Sequence, residues 1–192
     1  MQPRVDPVQP PYETPVAERL EGMMPPGIPP LLLFRTFARN MPMTDAMSGW
    51  GAYELSRQLS LSLRDREIVI DRTCARCGCE YEWGVHVAYF ARRADLSSAQ
   101  VTSLTSGGAA DTCWTSSRDR LLIDAVDALH DHADIEDDLW HLLAVEFSHE
   151  QLLDLLMLTG WYHAISFTST AARVAPENWA PRFGQDTASW TA

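Results

Sequence analysis

The placement of proline is the feature of this 192-residue sequence that most restricts its fold. All 12 prolines lie at or before Pro42 or at or after Pro176, which leaves residues 43–175 without one. Proline is excluded from helix interiors because it lacks an amide donor and clashes with the preceding turn. A proline-free stretch of this length, without period-2 apolar alternation, indicates stacked helices. The sequence therefore predicts an all-α protein.

Capping residues and turn signals mark where the helices begin and end. Gly78 predicts a break between a helix capped by Ser62 and the helix that follows. Thr44 is a candidate N-cap, and the Ser-x-x-Gln runs at 97–100 and 148–151 fit capping boxes. Together with apolar periodicity, these signals predict helices that begin at about residues 31, 62, 79 and 97. They also predict helices at about 15–23, 44–59, 117–131, 135–146 and 148–173.

The proline-rich ends divide the chain into three parts. Residues 1–15 carry five prolines and predict an extended N-terminal arm, which can lie against a partner subunit. Residues 16–175 form the predicted helical domain. Residues 176–192 predict a loose C-terminal tail with three aromatic side chains that can anchor it: Trp179, Phe183 and Trp190.

Composition narrows the class of protein. Hydrophobic residues make up 46% and charged residues 21%, which is typical of a globular protein. The net charge of −11 argues against a nucleic-acid partner, because phosphate contacts need clustered Lys and Arg. The apolar runs are too short to span a bilayer, and the N-terminus lacks the apolar core of a signal peptide. We expect a cytoplasmic protein with no membrane partner.

Four side chains that can carry chemistry share one face of the predicted fifth helix. Cys79, Glu82, Trp83 and His86 are spaced at i, i+3, i+4 and i+7. A thiol, a carboxylate and an imidazole on one strip can pass protons over short distances. If Gly78 breaks the chain, Cys79 lies in the first helical turn, where backbone N–H groups favour a thiolate. The alternative for His86 is a core histidine with satisfied hydrogen bonds.

The preceding helix carries a carboxylate in an otherwise apolar row. Glu67 shares its side with Leu63, Ile70, Cys74 and Cys77. A carboxylate placed there is costly to bury unless a partner or a shifted pKa compensates. The alternative is that Glu67 only begins a helix, where negative charge suits the helix dipole.

Cys74 and Cys77 form a Cys-x-x-Cys pair inside that helix. Two small buried side chains are the simpler interpretation, because buried thiols are inert. A zinc site built from Cys74, Cys77 and His86 lacks a fourth ligand. The other histidines have no recognised ligand spacing, so we expect no metal and no cofactor.

The segment at roughly residues 60–105 resembles the carboxymuconolactone decarboxylase-like family of the alkylhydroperoxidase-D-like superfamily. Glu67 in the run RDRE, the EYEW block at 80–83 and the following His86 carry the resemblance. It implies a single-domain helical bundle of about eight or nine helices. It also implies a homo-oligomer, a trimer or hexamer, with sites near the subunit boundaries.

One position separates the two branches of this superfamily. In the peroxidase branch, a glutamate is followed by two cysteines three apart and a histidine four residues after the second cysteine. Glu67 takes the glutamate position, Cys79 the first cysteine position and His86 the histidine position. Glu82 stands at the position of the second cysteine. This substitution removes the resolving thiol of the peroxidase cycle, and the EYEW form resembles the decarboxylase branch.

The resemblance implies a cofactor-independent lyase that acts on a small lactone or activated carboxylic acid. In this hypothesis His86 donates the proton and Glu67 orients His86. Glu82 tunes or shares the proton of His86. The expected pocket residues are Trp83, Tyr81 and Phe90, and the candidate carboxylate anchors are Arg35, Arg39, Arg72 and Arg76.

Two alternatives stay open. The first is a thiol-dependent, peroxiredoxin-like redox protein in which Cys79 reacts and Cys77 or an external thiol resolves it. The second is a non-catalytic protein that binds a small molecule or serves as an accessory factor.

Overall fold

The chain is built from α-helices. A computed structural model describes residues 2–185, and that range contains no β-strand. None of its helices combines the length and the apolar character needed to cross a bilayer. The all-α prediction is confirmed for this range, which holds nine helices: α1 (Thr14–Gly22), α2 (Leu32–Phe37), α3 (Met41–Glu54), α4 (Leu63–Arg76), α5 (Glu80–Phe90), α6 (Ser98–Ser106), α7 (Ser117–His132), α8 (Asp137–Glu146) and α9 (His149–Ala172).

Side-chain caps begin several of these helices where the sequence predicts them. Ser62, Ser97 and Ser148 are the N-caps of α4, α6 and α9, each within a capping box.

The predicted cap of α3 is wrong. Asn40 caps this helix by accepting a hydrogen bond from the Met43 amide at 3.2 Å. The helix begins earlier than predicted because proline is tolerated in the first helical turn.

Thr44, the residue predicted to cap α3, lies inside the helix instead. Its side chain is fully buried, and its hydroxyl donates to the Phe37 carbonyl at 2.7 Å. That bond joins α3 to the end of α2. The helix ends at Glu54 rather than near Leu59.

Helix α4 lies at the centre of the core. It is buried from Asp65 to Cys74 and packs against α5, α6, α7 and α9. Gly78 adopts a positive φ of 64°, a conformation that costs glycine little. The chain therefore reverses there, and α5 packs alongside α4. This confirms the predicted break.

The N-terminal arm packs against helices of the same chain. The Arg4 amide donates to the Ala172 carbonyl at the end of α9 at 2.8 Å. The Val8 amide donates to the Arg35 carbonyl in α2 at 3.0 Å, and the Arg35 side chain returns a bond to the Val8 carbonyl. These contacts attach the arm to two helices.

The described part of the C-terminal segment packs against α5. The Phe183 ring lies 5.0 Å from the Trp83 ring, and the Trp179 ring lies 5.1 Å from that of Tyr89. A Cβ atom at Gly84 would lie 2.4 Å from the Pro181 carbonyl oxygen, so only glycine permits this close approach. Trp190, the third predicted anchor, lies outside the described residues.

Candidate active site

A buried ion pair joins α4 to α5. The Glu67 Oε2 atom lies 2.8 Å from His86 Nδ1, and their side chains are 0% and 4% exposed. The two residues are 19 positions apart in the chain, and the reversal at Gly78 brings them together. The structure thus supplies the partner that a carboxylate in an apolar row requires.

Arg66 completes the hydrogen bonding of Glu67. Its Nε atom donates to Glu67 Oε1 at 2.7 Å, so both carboxylate oxygens have a charged partner. The guanidinium lies 4.9 Å from the centre of the Phe90 ring and also donates to the Leu55 carbonyl. Glu67 is therefore held in place from two sides.

Helix α9 adds a tyrosine to the other side of the imidazole. The Tyr162 hydroxyl lies 3.0 Å from His86 Nε2, and the two rings meet edge to face at 5.1 Å. Glu82 Oε1 lies 3.7 Å from the same nitrogen. We call Glu67, Glu82, His86 and Tyr162 the His86 site.

The charge state of His86 follows from these neighbours. Burial disfavours the imidazolium, but the Glu67 charge and hydrogen bond, helped by Glu82, outweigh burial and raise the pKa of His86 to about 10. Both ring nitrogens are therefore protonated at neutral pH. Nδ1–H donates to Glu67, and Nε2–H donates to the Tyr162 oxygen.

Tyr162 keeps its own proton. Burial, followed by the charges of Glu82 and Glu67, raises the pKa of this phenol well above its usual value. Because its oxygen accepts from His86, the Tyr162 hydroxyl proton is directed away from the imidazole. The array forms a chain along which a proton can pass from His86 to Tyr162 and on to a ligand.

A second buried acid lies one helical turn after Glu67. Asp71 is 0% exposed, and neither of its carboxylate oxygens has a hydrogen-bond partner among residues 2–185. Burial, followed by the charge on Glu67, raises its pKa well above the ordinary value. Burial and the Glu67 charge therefore both favour the neutral form of Asp71 beside the His86 site.

An apolar pocket of about 510 Å³ reaches this site. Two polar members of the site, Glu82 and Tyr162, line it, whereas Glu67 and His86 lie behind them. The Glu82 Oε2 atom is buried and has no hydrogen-bond partner in the described part of the chain. Most of the remaining wall is apolar: Leu33, Phe34, Phe37, Met47, Trp161 and Ile165.

The pocket has one arginine in its wall, and it is not one of the predicted anchors. Arg19 lines the pocket and is paired with Asp45 at 2.6 Å. Of the predicted anchors, Arg35 donates to Val8 and Gln9 of the N-terminal arm, and Arg72 donates to Asp127.

The three predicted pocket residues lie elsewhere around the site. Trp83 is buried and lines a separate pocket of about 550 Å³. The Tyr81 hydroxyl accepts from the Leu33 amide and donates to Glu177, which ties α5 to other segments. The Phe90 ring lies 5.3 Å from the His86 ring. None of the three lines the 510 Å³ pocket.

Burial opposes the thiolate expected at Cys79. Cys79 is the N-cap residue of α5, one position before the first helical turn in which the sequence places it, and it is only 1% exposed. Burial raises the pKa of its thiol and outweighs the amide hydrogen bond that it accepts. Cys74 is fully buried, and burial raises its pKa as well, whereas Cys77 is half-buried.

Sequence reasoning missed Arg66, Asp71 and Tyr162. Asp71 follows Glu67 at i+4, so the shared helix face was a usable signal. Arg66 directly precedes Glu67, a spacing that does not normally bring two helical side chains together. Tyr162 lies in a long apolar helix, and nothing local indicates which of its side chains faces His86.

Comparisons with known proteins identify solved structures with a similar fold. No protein-family model matches the sequence, and no curated protein matches it. The structure is similar to an uncharacterized peroxidase-related protein from Silicibacter sp. TM1040, with a TM-score of 0.78, 16% identity, and 96% and 98% of the two chains covered. It is also similar to the alkylhydroperoxidase AhpD core of an uncharacterized peroxidase-related protein from Ralstonia eutropha JMP134, with a TM-score of 0.77, 14% identity, and 93% and 95% covered.

A third solved structure agrees over a shorter range. It is a protein of unknown function from Agrobacterium tumefaciens, proposed to be the antioxidant defence protein AhpD, with a TM-score of 0.65 and 18% identity. The match covers 73% of this chain and 94% of that one. The fold that the resemblance at residues 60–105 implies is confirmed, and this chain has the alkylhydroperoxidase AhpD-core fold.

Proposed function

We propose that the chain is a cofactor-independent enzyme that transfers protons to a small lactone or activated carboxylic acid with a mainly apolar body. One observation carries this proposal. A buried, protonated His86 is hydrogen-bonded between Glu67 and Tyr162, and Tyr162 opens onto an apolar pocket. Preorganised donors in a water-poor site are the means by which enzymes stabilise developing negative charge.

The geometry supports a division of roles that differs from the one implied by the sequence. Tyr162 and Glu82 line the pocket and would contact the substrate, so they are the candidate catalytic residues. His86 would supply charge and a proton from behind Tyr162. Glu67 would orient His86, as the sequence hypothesis holds, and would also keep it protonated.

A decarboxylation at this site has a simple balance. The bond between the substrate carbon and its carboxylate breaks, the electron pair stays on carbon as an enolate-like anion, and carbon dioxide leaves. Tyr162 then gives its hydroxyl proton to that carbon, and His86 Nε2–H restores the hydroxyl. Solvent returns one proton to His86, so each turnover consumes one proton.

The experiment is turnover of a panel of lactones and β-keto acids in D2O, followed by NMR. We expect a product that carries one solvent deuterium at the protonated carbon. Tyr162→Phe and His86→Ala should each lower kcat about 10²- to 10⁴-fold. The matched control is Tyr53→Phe, because Tyr53 bonds to Asp154 rather than to His86.

Two outcomes would overturn the lyase proposal. One is saturable binding of these compounds without any product, which would support a binding or accessory protein. The other is equal loss of activity in Tyr53→Phe and Tyr162→Phe, which would trace the loss to folding rather than to the proton chain.

A thiol-dependent peroxidase is the second candidate function. It is supported by the names of the structural neighbours and by the three cysteines gathered at the α4–α5 turn. In this reaction Cys79 attacks the peroxide oxygen, an alcohol leaves, and a sulfenic acid forms. Cys77 then attacks that sulfur and releases water, and an external dithiol reduces the disulfide.

The test for this candidate is a peroxide pulse followed by mass spectrometry of the peptide that spans residues 74–86. Burial raises the pKa of Cys79, so we expect its thiol to stay slow and unoxidised. A reversible Cys77–Cys79 disulfide would instead make the redox function the better account. Cys113→Ser is the control, because Cys113 lies in a separate loop between α6 and α7.

We also propose that the chain forms a homo-oligomer through α8 and α9. Large apolar side chains on these helices face solvent in the single chain, and patches of this kind mark association surfaces. Light scattering of the full chain should report a trimer or hexamer, whereas a monomer would contradict this proposal. The most exposed of these side chains are Val145 (88%), Leu153 (63%), Phe167 (63%) and Leu142 (58%).

A further inference from the structure

We propose that Cys77, His130 and His163 form a binding site for a divalent late transition-metal ion such as Zn²⁺. We call these three residues the His130 cluster. Their candidate ligand atoms all lie within 4.8 Å of one another. This site is separate from the His86 site and does not depend on the function proposed above.

The distances are close to those that one ion requires. His130 Nδ1 lies 3.0 Å from His163 Nε2 and 4.0 Å from Cys77 Sγ. In tetrahedral zinc sites the ligand atoms lie about 2.0–2.3 Å from the metal, which separates them by roughly 3.3–3.6 Å. Small side-chain rotations would therefore bring all three atoms onto one ion.

Three helices supply the ligands. Cys77 is the C-cap residue of α4, His130 lies in the last turn of α7, and His163 lies in the middle of α9. All three side chains are half-buried, so they are held by packing and still reachable from solvent. One thiolate and two imidazoles suit Zn²⁺ and similar ions, with a water molecule as the fourth ligand.

A backbone carbonyl orients one of these ligands. His163 Nδ1 lies 2.8 Å from the Thr159 carbonyl oxygen, and only an N–H can approach a carbonyl in this way. The lone pair of His163 is therefore on Nε2, the atom that faces His130. Metal-bound histidines are commonly fixed by such a bond from the second ring nitrogen.

The charged groups beside the cluster include both signs. Arg76 disfavours a cation at His130, whereas Asp131 and Asp127 favour one. Arg76 is paired with Asp127 at 3.6 Å and hydrogen-bonded to Asp131, and Asp127 also pairs with Arg72 at 2.6 Å. Two carboxylates thus balance two guanidiniums. When the ion binds, the Cys77 thiol releases its proton, and the remaining proton of the neutral His130 ring moves to Nε2.

The experiment is a titration of the metal-free full-length chain with Co²⁺ and then with competing Zn²⁺. We expect one equivalent of Co²⁺ to bind, with visible d–d bands and a near-ultraviolet thiolate-to-cobalt band. Cys77→Ser should remove the thiolate band. His130→Gln and His163→Gln should each weaken binding at least tenfold.

Matched controls separate this site from adventitious binding. Cys113→Ser keeps the other cysteines, and His149→Gln alters an exposed histidine at the start of α9, so both should bind Co²⁺ as the parent chain does. Circular dichroism checks that each variant is folded. The proposal is overturned if no stoichiometric complex forms, or if Cys77→Ser gives the parent spectrum.

A second readout avoids variants altogether. One equivalent of Zn²⁺ should slow alkylation of Cys77 by iodoacetamide at least tenfold while leaving Cys113 unaffected, as followed by mass spectrometry. Equal alkylation of Cys77 with and without Zn²⁺ would overturn the proposal.

Discussion

The His86 site and the His130 cluster place histidines in opposite electrostatic surroundings. Both lie between α4 and α9, and burial lowers the pKa of the imidazole in each. Beside His86, Glu67 outweighs burial and raises the pKa to about 10. At His130, burial and the nearby Arg76 charge both disfavour the imidazolium, so the pKa of His130 falls below its usual value.

The difference teaches that the charges beside a histidine, together with its burial, decide its role here. His86 is a buried cation suited to donating protons. The His130 ring is neutral at neutral pH and therefore has a lone pair to offer. A buried ion pair contributes little net stability compared with apolar packing, so retaining one at the core is consistent with a functional role.

The largest expected effect comes from removing the carboxylate that distinguishes the two surroundings. Glu67→Gln leaves His86 and Arg66 buried without their charged partner. We expect the free energy of unfolding to fall by about 3–5 kcal/mol in urea denaturation. The control is Glu80→Gln in the Arg182–Glu80 pair, where each side chain is 35% exposed and the expected loss is under about 1 kcal/mol. Similar losses in both variants would contradict the account.

The second effect is a fall in stability at alkaline pH. Because the folded pKa of His86, about 10, lies above its ordinary value of 6.5, the folded state holds its proton longer than the unfolded state. This contribution is fully present below pH 6.5, declines as pH rises, and is lost above about pH 10. Urea unfolding at pH 6, 8 and 10 should show the decline in the parent chain and a flatter profile in Glu67→Gln. Equal slopes would count against the assigned charge.

The third effect concerns the hydrogen bond on the far side of the imidazole. Tyr162→Phe removes the hydroxyl that accepts from the Nε2–H of a charged ring and leaves only Glu82 Oε1, at 3.7 Å, near that nitrogen. We expect the free energy of unfolding to fall by about 1.5–3 kcal/mol, the range for bonds to charged groups. The pKa of His86 should also fall, because the imidazolium loses one partner. A change in stability with no change in that pKa would mean that Tyr162 only fills space.

The smallest effect is expected in the His130 cluster of the metal-free chain. His130→Gln removes one neutral, half-buried hydrogen bond to His163. The free energy of unfolding should fall by about 1 kcal/mol or less. A loss as large as that of Glu67→Gln would remove the contrast between the two surroundings.

Local signals predicted most of the helices and part of the site. The Ser-x-x-Gln boxes at 97–100 and 148–151 and the break at Gly78 are contained within a few residues, so sequence alone reveals them. The spacing of Glu82 and His86 placed both on one face of α5, and the structure brings them within 3.7 Å. Glu67 required the family resemblance as well as its place in an apolar row.

The rest depended on contacts between distant segments. Tyr162 meets His86 across 76 residues, and Cys77, His130 and His163 are separated by 53 and 33. No periodicity or motif spans such distances. Cys79 shows a different limit, because its helix position favours a thiolate whereas burial, known only from the fold, opposes one.

The most direct test of the account is an NMR pH titration of the histidine ring nitrogens in 15N-labelled protein. Assignments would come from His86→Gln and His130→Gln. The account predicts that His86 carries protons on both nitrogens at pH 7 and titrates with a midpoint near 10, while His130 titrates below 6.5. A neutral His86 ring at pH 7 would contradict the central claim that Glu67 holds a buried imidazolium.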